Sequence, residues 1–193
     1  MIKRLALLCC ILLLPTIAAS SDGAGNTNYG QVWVGGQVGG LFADHTEPGV
    51  TAGAIVGYNF CMPYRQSWER YFGVALDFSW NRFNQRYFPD INIKGDQFAL
   101  TLLARLQYPL MGDERFTAGR LVPFLMFGPA VVWSQRDHDF ADDSTDFGVV
   151  AEAGLECFII PKLSIGPSFR FRHVWLDAGR DQYMVLGRMA YHF

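Results

Sequence analysis

YFGVALDFSW, residues 71–80, alternates with a period of two. Phe72, Val74, Leu76, Phe78 and Trp80 fall on one face, and Gly73, Ala75, Asp77 and Ser79 on the other. Successive side chains of a strand point to opposite sides, so the stretch reads as a strand with one apolar face and one small or charged face.

Seven further segments carry the same period, separated by turn-like clusters. Upstream, Val32, Val34, Val38 and Phe42 alternate with Gln31, Gly35, Gln37 and Gly39 across 31–42. Val50, Ala52, Ala54, Val56, Tyr58 and Phe60 share a face across 50–60. Downstream, Phe98, Leu100, Leu102, Ala104, Leu106 and Tyr108 oppose Gln97, Thr101, Arg105 and Gln107. The segment from Leu121 to Trp133 is apolar on both faces, so its phase is open, and Pro123 and Pro129 weaken it as a strand. Phe147, Val149, Ala151, Ala153, Leu155 and Cys157 then oppose Gly148, Glu152, Gly154 and Glu156. Ile165, Phe169 and Phe171 oppose Ser164, Gly166, Ser168, Arg170 and Arg172. In QYMVLGRMAYHF, residues 182–193, Tyr183, Val185, Met189, Tyr191 and Phe193 oppose Gln182, Arg188 and His192.

Eight segments of this length predict an all-β, eight-stranded, antiparallel up-and-down barrel, whose closure buries every sheet edge. A water-soluble secreted barrel of lipocalin type would turn its apolar face inward. Here the opposite face carries Asp77, Arg105, Glu152, Glu156, Arg170, Arg172 and Arg188, and the apolar face is nearly free of charge. That asymmetry predicts a transmembrane barrel with a polar lumen. Eight strands enclose only enough room for side chains, so the seven charges are expected to form an ion-pair and hydrogen-bond network. The network is read as a polar plug, with a narrow solute channel as the alternative.

Composition agrees. Hydrophobic residues make up 50% and aromatics 15%, with 20 glycines and 18% charged residues. Sixteen basic and 18 acidic residues leave a net charge of -2, which excludes a basic footprint for nucleic acid. The first twenty residues read as a secretory signal peptide: Lys3 and Arg4, an apolar run from Leu5 to Leu14, then Pro15 and the small residues Ala18, Ala19 and Ser20. Cleavage fits after Ser20 or Ala19. Residues 21–28 read as a flexible lead-in and 29–193 as the barrel. Export leaves Cys61 and Cys157 in an oxidising compartment, and their spacing leaves pairing open.

The connections set an orientation. Those near Ala43–Gly49, Asn84–Gly95, Arg136–Asp146 and Asp177–Asp181 are expected outside, and the tight Ile160-Pro161-Lys162 turn in the periplasm. Trp80, Tyr87, Phe88, Trp133 and Trp175 form one aromatic girdle, and Tyr58, Tyr71, Tyr108 and Phe193 the other. Asp137, Asp139, Asp142, Asp143 and Asp146 lack calcium-loop spacing and read as a solvated acidic loop beside an exposed His138. No metal or cofactor is expected.

FRFRHVWLDAGRD, residues 169–181, resembles the catalytic strand of the lipid A deacylase barrels, with their His-x-Ser-Asn pattern. The resemblance would make His173 a general base. Trp175 occupies the nucleophile position and Leu176 the Asn position, and Trp cannot attack an ester. No catalytic residue is therefore assigned, and an enzyme is not expected. Across Tyr29–Phe193 the chain resembles the OmpA-like and opacity-type barrels. QVWVGGQVGG, AGAIVGYNF, YFGVALDFSW, VPFLMFGPAVVW, the AGLE run at 153–156 and SFRFRHVW carry that likeness. It implies a structural or surface-interaction role in the bacterial outer membrane, in contact with lipid and lipopolysaccharide, as a monomer. It further implies that Tyr183, Val185, Met189, Tyr191 and Phe193 form the signal read by the barrel-assembly machinery.

Overall fold

The computed structural model describes residues 32–43, 46–60, 71–88, 91–111, 120–136, 144–175 and 180–193. Eight strands follow in chain order: β1 (Val32–Ala43), β2 (Thr46–Asn59), β3 (Phe72–Phe88), β4 (Ile91–Gln107), β5 (Leu121–Arg136), β6 (Ser144–Ile160), β7 (Leu163–Val174) and β8 (Arg180–His192). Each pairs antiparallel with its sequence neighbour, and β1 with β8, so the sheet is a closed barrel. The closing ladder runs from Trp33↔His192 to Ala43↔Gln182, and the Phe193 amide donates to the Val32 carbonyl at 3.0 Å. No helix among the described residues is long and apolar enough to cross a membrane, and the strands cross instead.

The two faces are inverted relative to a water-soluble protein. Asp77, Arg170 and Arg172 are 0% exposed, whereas Leu102 and Phe147 are 58% and 66% exposed. Every segment turns the face named above as apolar outward. The open phase of β5 is settled: Val122, Phe124, Met126, Ala130, Val132 and Ser134 point inward, and Leu125, Phe127 and Trp133 outward.

Prolines are accommodated without breaking register. The β4–β5 ladder skips Leu102–Leu103 against Gly128–Pro129 and resumes in the same register, while β5–β6 pairs continuously through Pro123 and Pro129. Pro129 lacks an amide hydrogen and so gives up a bond on one side only. Pro167 on β7 lies beside the same kind of gap toward β6, and its pairing to β8 continues.

Strand lengths depart from the sequence reading. Asn84–Gly95 was expected as an outer connection, yet β3 and β4 stay paired as far as Phe88↔Ile91. Likewise β2 begins at Thr46, inside the expected Ala43–Gly49 connection, with a register shift between Glu47 and Val50 around Pro48. These hairpins extend beyond the apolar band. Both their faces can meet water there, so the alternation that marks a strand within lipid is lost. The two-residue Pro161–Lys162 turn joins β6 to β7 as expected.

The girdles form on the outward face. Tyr71 stacks on Tyr108 at 5.5 Å, and Tyr58 and Tyr191 make edge contacts with Phe60 and Phe193 at the end where β1 begins and β8 ends, the terminal end of the barrel. Trp80, Trp133 and Trp175 ring the opposite end. The signal segment 1–20, the lead-in 21–28, residues 29–31, Cys61, Asp137, His138, Asp139, Asp142, Asp143 and Leu176 lie outside the described residues, as do the side chains of Tyr87 and Phe88.

Candidate functional site

The lumen brings together all seven charged residues named from the sequence, each at most 3% exposed. At its centre Arg170 on β7 reaches three strands at once, with its Nη2 also donating to Gln37 Oε1 on β1 at 3.2 Å. Its Nη1 donates to Asp77 Oδ1 at 2.9 Å, its Nη2 to Asp77 Oδ2 at 3.0 Å and its Nε to Glu152 Oε2 at 2.8 Å. Glu152 Oε1 accepts from Arg188 Nη1 at 2.9 Å, and Gln37 Nε2 donates to Asp77 Oδ2. Two arginines and two carboxylates thus form one neutral group spanning β1, β3, β6, β7 and β8. The alternation of each strand aims these side chains inward, and closure makes them meet.

Toward the terminal end, Arg105 on β4 makes a bidentate pair with Glu156, Nη1–Oε1 at 3.1 Å and Nη2–Oε2 at 2.8 Å. Its Nε donates to Gln107 at 3.0 Å. Two aromatic rings box this layer. The Arg105 guanidinium carbon lies 4.9 Å from the Trp33 ring and 5.0 Å from Phe124, and that of Arg188 lies 5.6 Å and 4.7 Å from the same rings. Each ring lies against a glycine. A Cβ at Gly57 would come within 2.2 Å of Trp33, and one at Gly154 within 2.4 Å of Phe124. Without those two glycines the rings could not lie flat against the wall beneath the cations. Below them, Ser164 Oγ meets His192 Nε2 at 3.0 Å, and His192 packs on Phe158 at 4.7 Å.

Toward the opposite end the chemistry changes. Arg172 donates Nη2 to Ser79 Oγ at 2.8 Å and Nη1 to Gln97 Oε1 at 3.5 Å and Gln182 Oε1 at 3.4 Å. It makes no ion pair among the described residues. Within the network three of the four arginines are ion-paired, and Arg172 joins it through hydrogen bonds to neutral groups. Asp77, Glu152 and Glu156 serve Arg170, Arg188 and Arg105, and Asp146, on the inward side near the outer end of β6, is held by Ser144 Oγ at 2.8 Å.

Gln37, on the polar face of β1, joins the network, and Trp33 and Phe124 line it with no motif that marks them. Trp33 and Gln37 share the odd-numbered positions of β1, so parity alone placed Trp33 inward. Phe124 was hidden because β5 is apolar on both faces. Cys157 is half-buried on the outward face of β6, and its candidate partner Cys61 is outside the described residues. Among the described residues no group of three metal-binding side chains occurs.

His173 lies on the outward face near the outer end of β7. Its Nδ1 meets Asp181 Oδ1 at 2.6 Å across the β7–β8 ladder, and Trp175 sits edge-on at 5.8 Å. The sequence reading did not foresee the Asp181 partner, although eight residues across a hairpin is a pairing distance.

The family model described as outer membrane protein beta-barrel domain matches residues 6–193. No curated protein matches the sequence. Among solved structures the chain is similar to Neisserial surface protein A (NspA), at 11% identity and a TM-score of 0.63, covering 86% of this chain and 99% of that one. It is similar to the outer membrane protein OprG from Pseudomonas aeruginosa at 12% identity and 0.58, covering 86% and 97%. For Ail, the attachment invasion locus protein of Yersinia pestis, the values are 15% and 0.51, covering 84% and 96%. At these identities the likeness is one of fold.

Proposed function

We propose, for a chain that belongs to the outer membrane protein beta-barrel family and resides in the bacterial outer membrane, a non-enzymatic role as a plugged barrel serving envelope structure or surface interaction. One observation carries this reading. The Asp77–Arg170–Glu152–Arg188 group crosses the lumen with every member at most 3% exposed, leaving its centre filled by paired side chains. A solute would have to separate charges that are buried in pairs, each costing several kcal/mol (roughly) to leave alone. Purified barrel in planar bilayers should show no conductance above background, and reproducible unitary steps would favour the narrow channel instead.

His173–Asp181 favours a second reading, a hydrolase acting on lipid A. A carboxylate on Nδ1 leaves Nε2 to serve as a base, as a nucleophilic site requires. Trp175, beside the imidazole, supplies no nucleophile. Mass spectrometry of lipid A with and without the protein should give one acyl pattern, and loss of an acyl chain would overturn the non-enzymatic reading. The proposed partners are outer-membrane lipid and lipopolysaccharide around a monomer, and the barrel-assembly machinery during biogenesis.

A further inference from the structure

We infer that β5 and β6 form one movable panel of the barrel wall, bounded on both sides by an interrupted ladder and strapped to the neighbouring strands from inside by ion pairs. The first ground is a repeated backbone feature. Gly128-Pro129 on β5 lies opposite Leu102-Leu103 on β4, and Gly166-Pro167 on β7 opposite Leu155-Glu156 on β6, and at both places the ladder is interrupted. Leu110 and Leu121 exchange both backbone bonds, at 2.7 and 3.2 Å, and bonded pairs recur at every second position of an antiparallel ladder. Leu102 and Pro129 fall in that series. Leu155 and Pro167 fall in the series to which the Trp175 amide and Phe147 carbonyl belong, bonded at 2.9 Å. Each proline therefore withholds an N–H from a carbonyl that needs it inside the membrane.

In both places the preceding glycine lets the carbonyl close in. A Cβ at Gly128 would overlap the Leu102 oxygen, and one at Gly166 the Leu155 oxygen. A glycine Cα–H directed at a carbonyl replaces an N–H only in part. Between the two interruptions β5 and β6 pair without a gap from Leu121↔Cys157 to Ser134↔Ser144. The β1–β2, β7–β8 and β1–β8 ladders are likewise continuous. Weak flanks around a continuous two-stranded ladder make those two strands the unit that moves.

The second ground lies in the lumen. From Val122 to Ser134 β5 has no charged residue, while β6 carries Glu152 and Glu156. Glu156 reaches past β5 to Arg105 on β4, and Glu152 pairs with Arg170 on β7 and Arg188 on β8. A strap thus spans each interrupted ladder. An outward swing of the panel would draw both acids away from their arginines, so movement of the wall and loosening of the ion-pair network are one event.

The test is residue-resolved hydrogen exchange of the full barrel in phospholipid nanodiscs. Amides bonded across β4–β5 and β6–β7 beside the interruptions should exchange roughly tenfold or more faster than those bonded across β5–β6 and β1–β2. Pro129→Ala restores a donor opposite Leu102 and should slow exchange along β4–β5 alone. Pro167→Ala should do the same along β6–β7 alone. Glu156→Gln should speed exchange on the β4–β5 flank relative to β1–β2, whereas Asp77→Asn, which also deprives a buried arginine but lies on β3, should not. If Glu156→Gln does not fold, the wild-type pattern and the two proline variants decide. Equal exchange around the wall, flanks indifferent to both proline substitutions, or a β4–β5 flank no faster in folded Glu156→Gln overturns the proposal.

Discussion

The two halves of the lumen bury the same residue type in opposite ways. From the centre to the terminal end, Arg105, Arg170 and Arg188 are neutralised by carboxylates, and two of the three also lie over aromatic rings. Toward the outer end, Arg172 has only hydroxyl and amide partners. A barrel therefore needs hydrogen-bond partners for each buried guanidinium, and a counter-charge within the protein is a separate provision.

Four substitutions bear on that contrast, each read by reversible urea unfolding in lipid vesicles. Arg170→Met should cost the most, about 3–5 kcal/mol, because it strands Asp77 and half of Glu152 without a cation. A loss below about 1 kcal/mol would mean that the central group contributes little. Gly154→Val should cost about 1–3 kcal/mol by pushing Phe124 off the wall. Its near-ultraviolet circular dichroism should change with it, and an unaltered aromatic signal would break the boxed half of the comparison. Ser164→Ala, which removes one bond to His192, should cost about 0.5–1.5 kcal/mol. Arg172→Met should change stability by less than about 1 kcal/mol, since the neutral groups it leaves are uncharged and close to one another. A cost equal to that of Arg170→Met would erase the difference between the halves.

Much of this architecture is legible in the residues because the membrane makes alternation strict. Asp77 between Leu76 and Phe78 has only one direction in which to point, and the same holds for Arg170 between Phe169 and Phe171. Where the solvent is the same on both sides the signal fades. Asn84–Phe88 and Ile91–Lys94 are strand all the same, and no periodicity in them separates strand from loop. Partner choice is a third level. Parity puts Arg170 and Arg172 on one face of β7, but their different fates depend on which acids reach across from β3 and β6, a matter of register and tilt that no local pattern encodes. The Trp33 and Phe124 box needed glycines on neighbouring strands, Gly57 and Gly154, so its signal is a pairing of residues far apart in the chain.

The seam between β1 and β8 has a temporal meaning. An open seven-stranded sheet would hold Asp77, Arg170 and Glu152 but would lack Arg188, Gln182 and His192, all of which arrive with β8. Glu152 would then carry one oxygen without its cation, and Gln97 would lose its shortest donor. Docking the last strand thus removes two liabilities in one event, a bare sheet edge and an unfinished charge pattern. A barrel built this way resists lingering half-closed, and completion of its interior reports that its wall is whole.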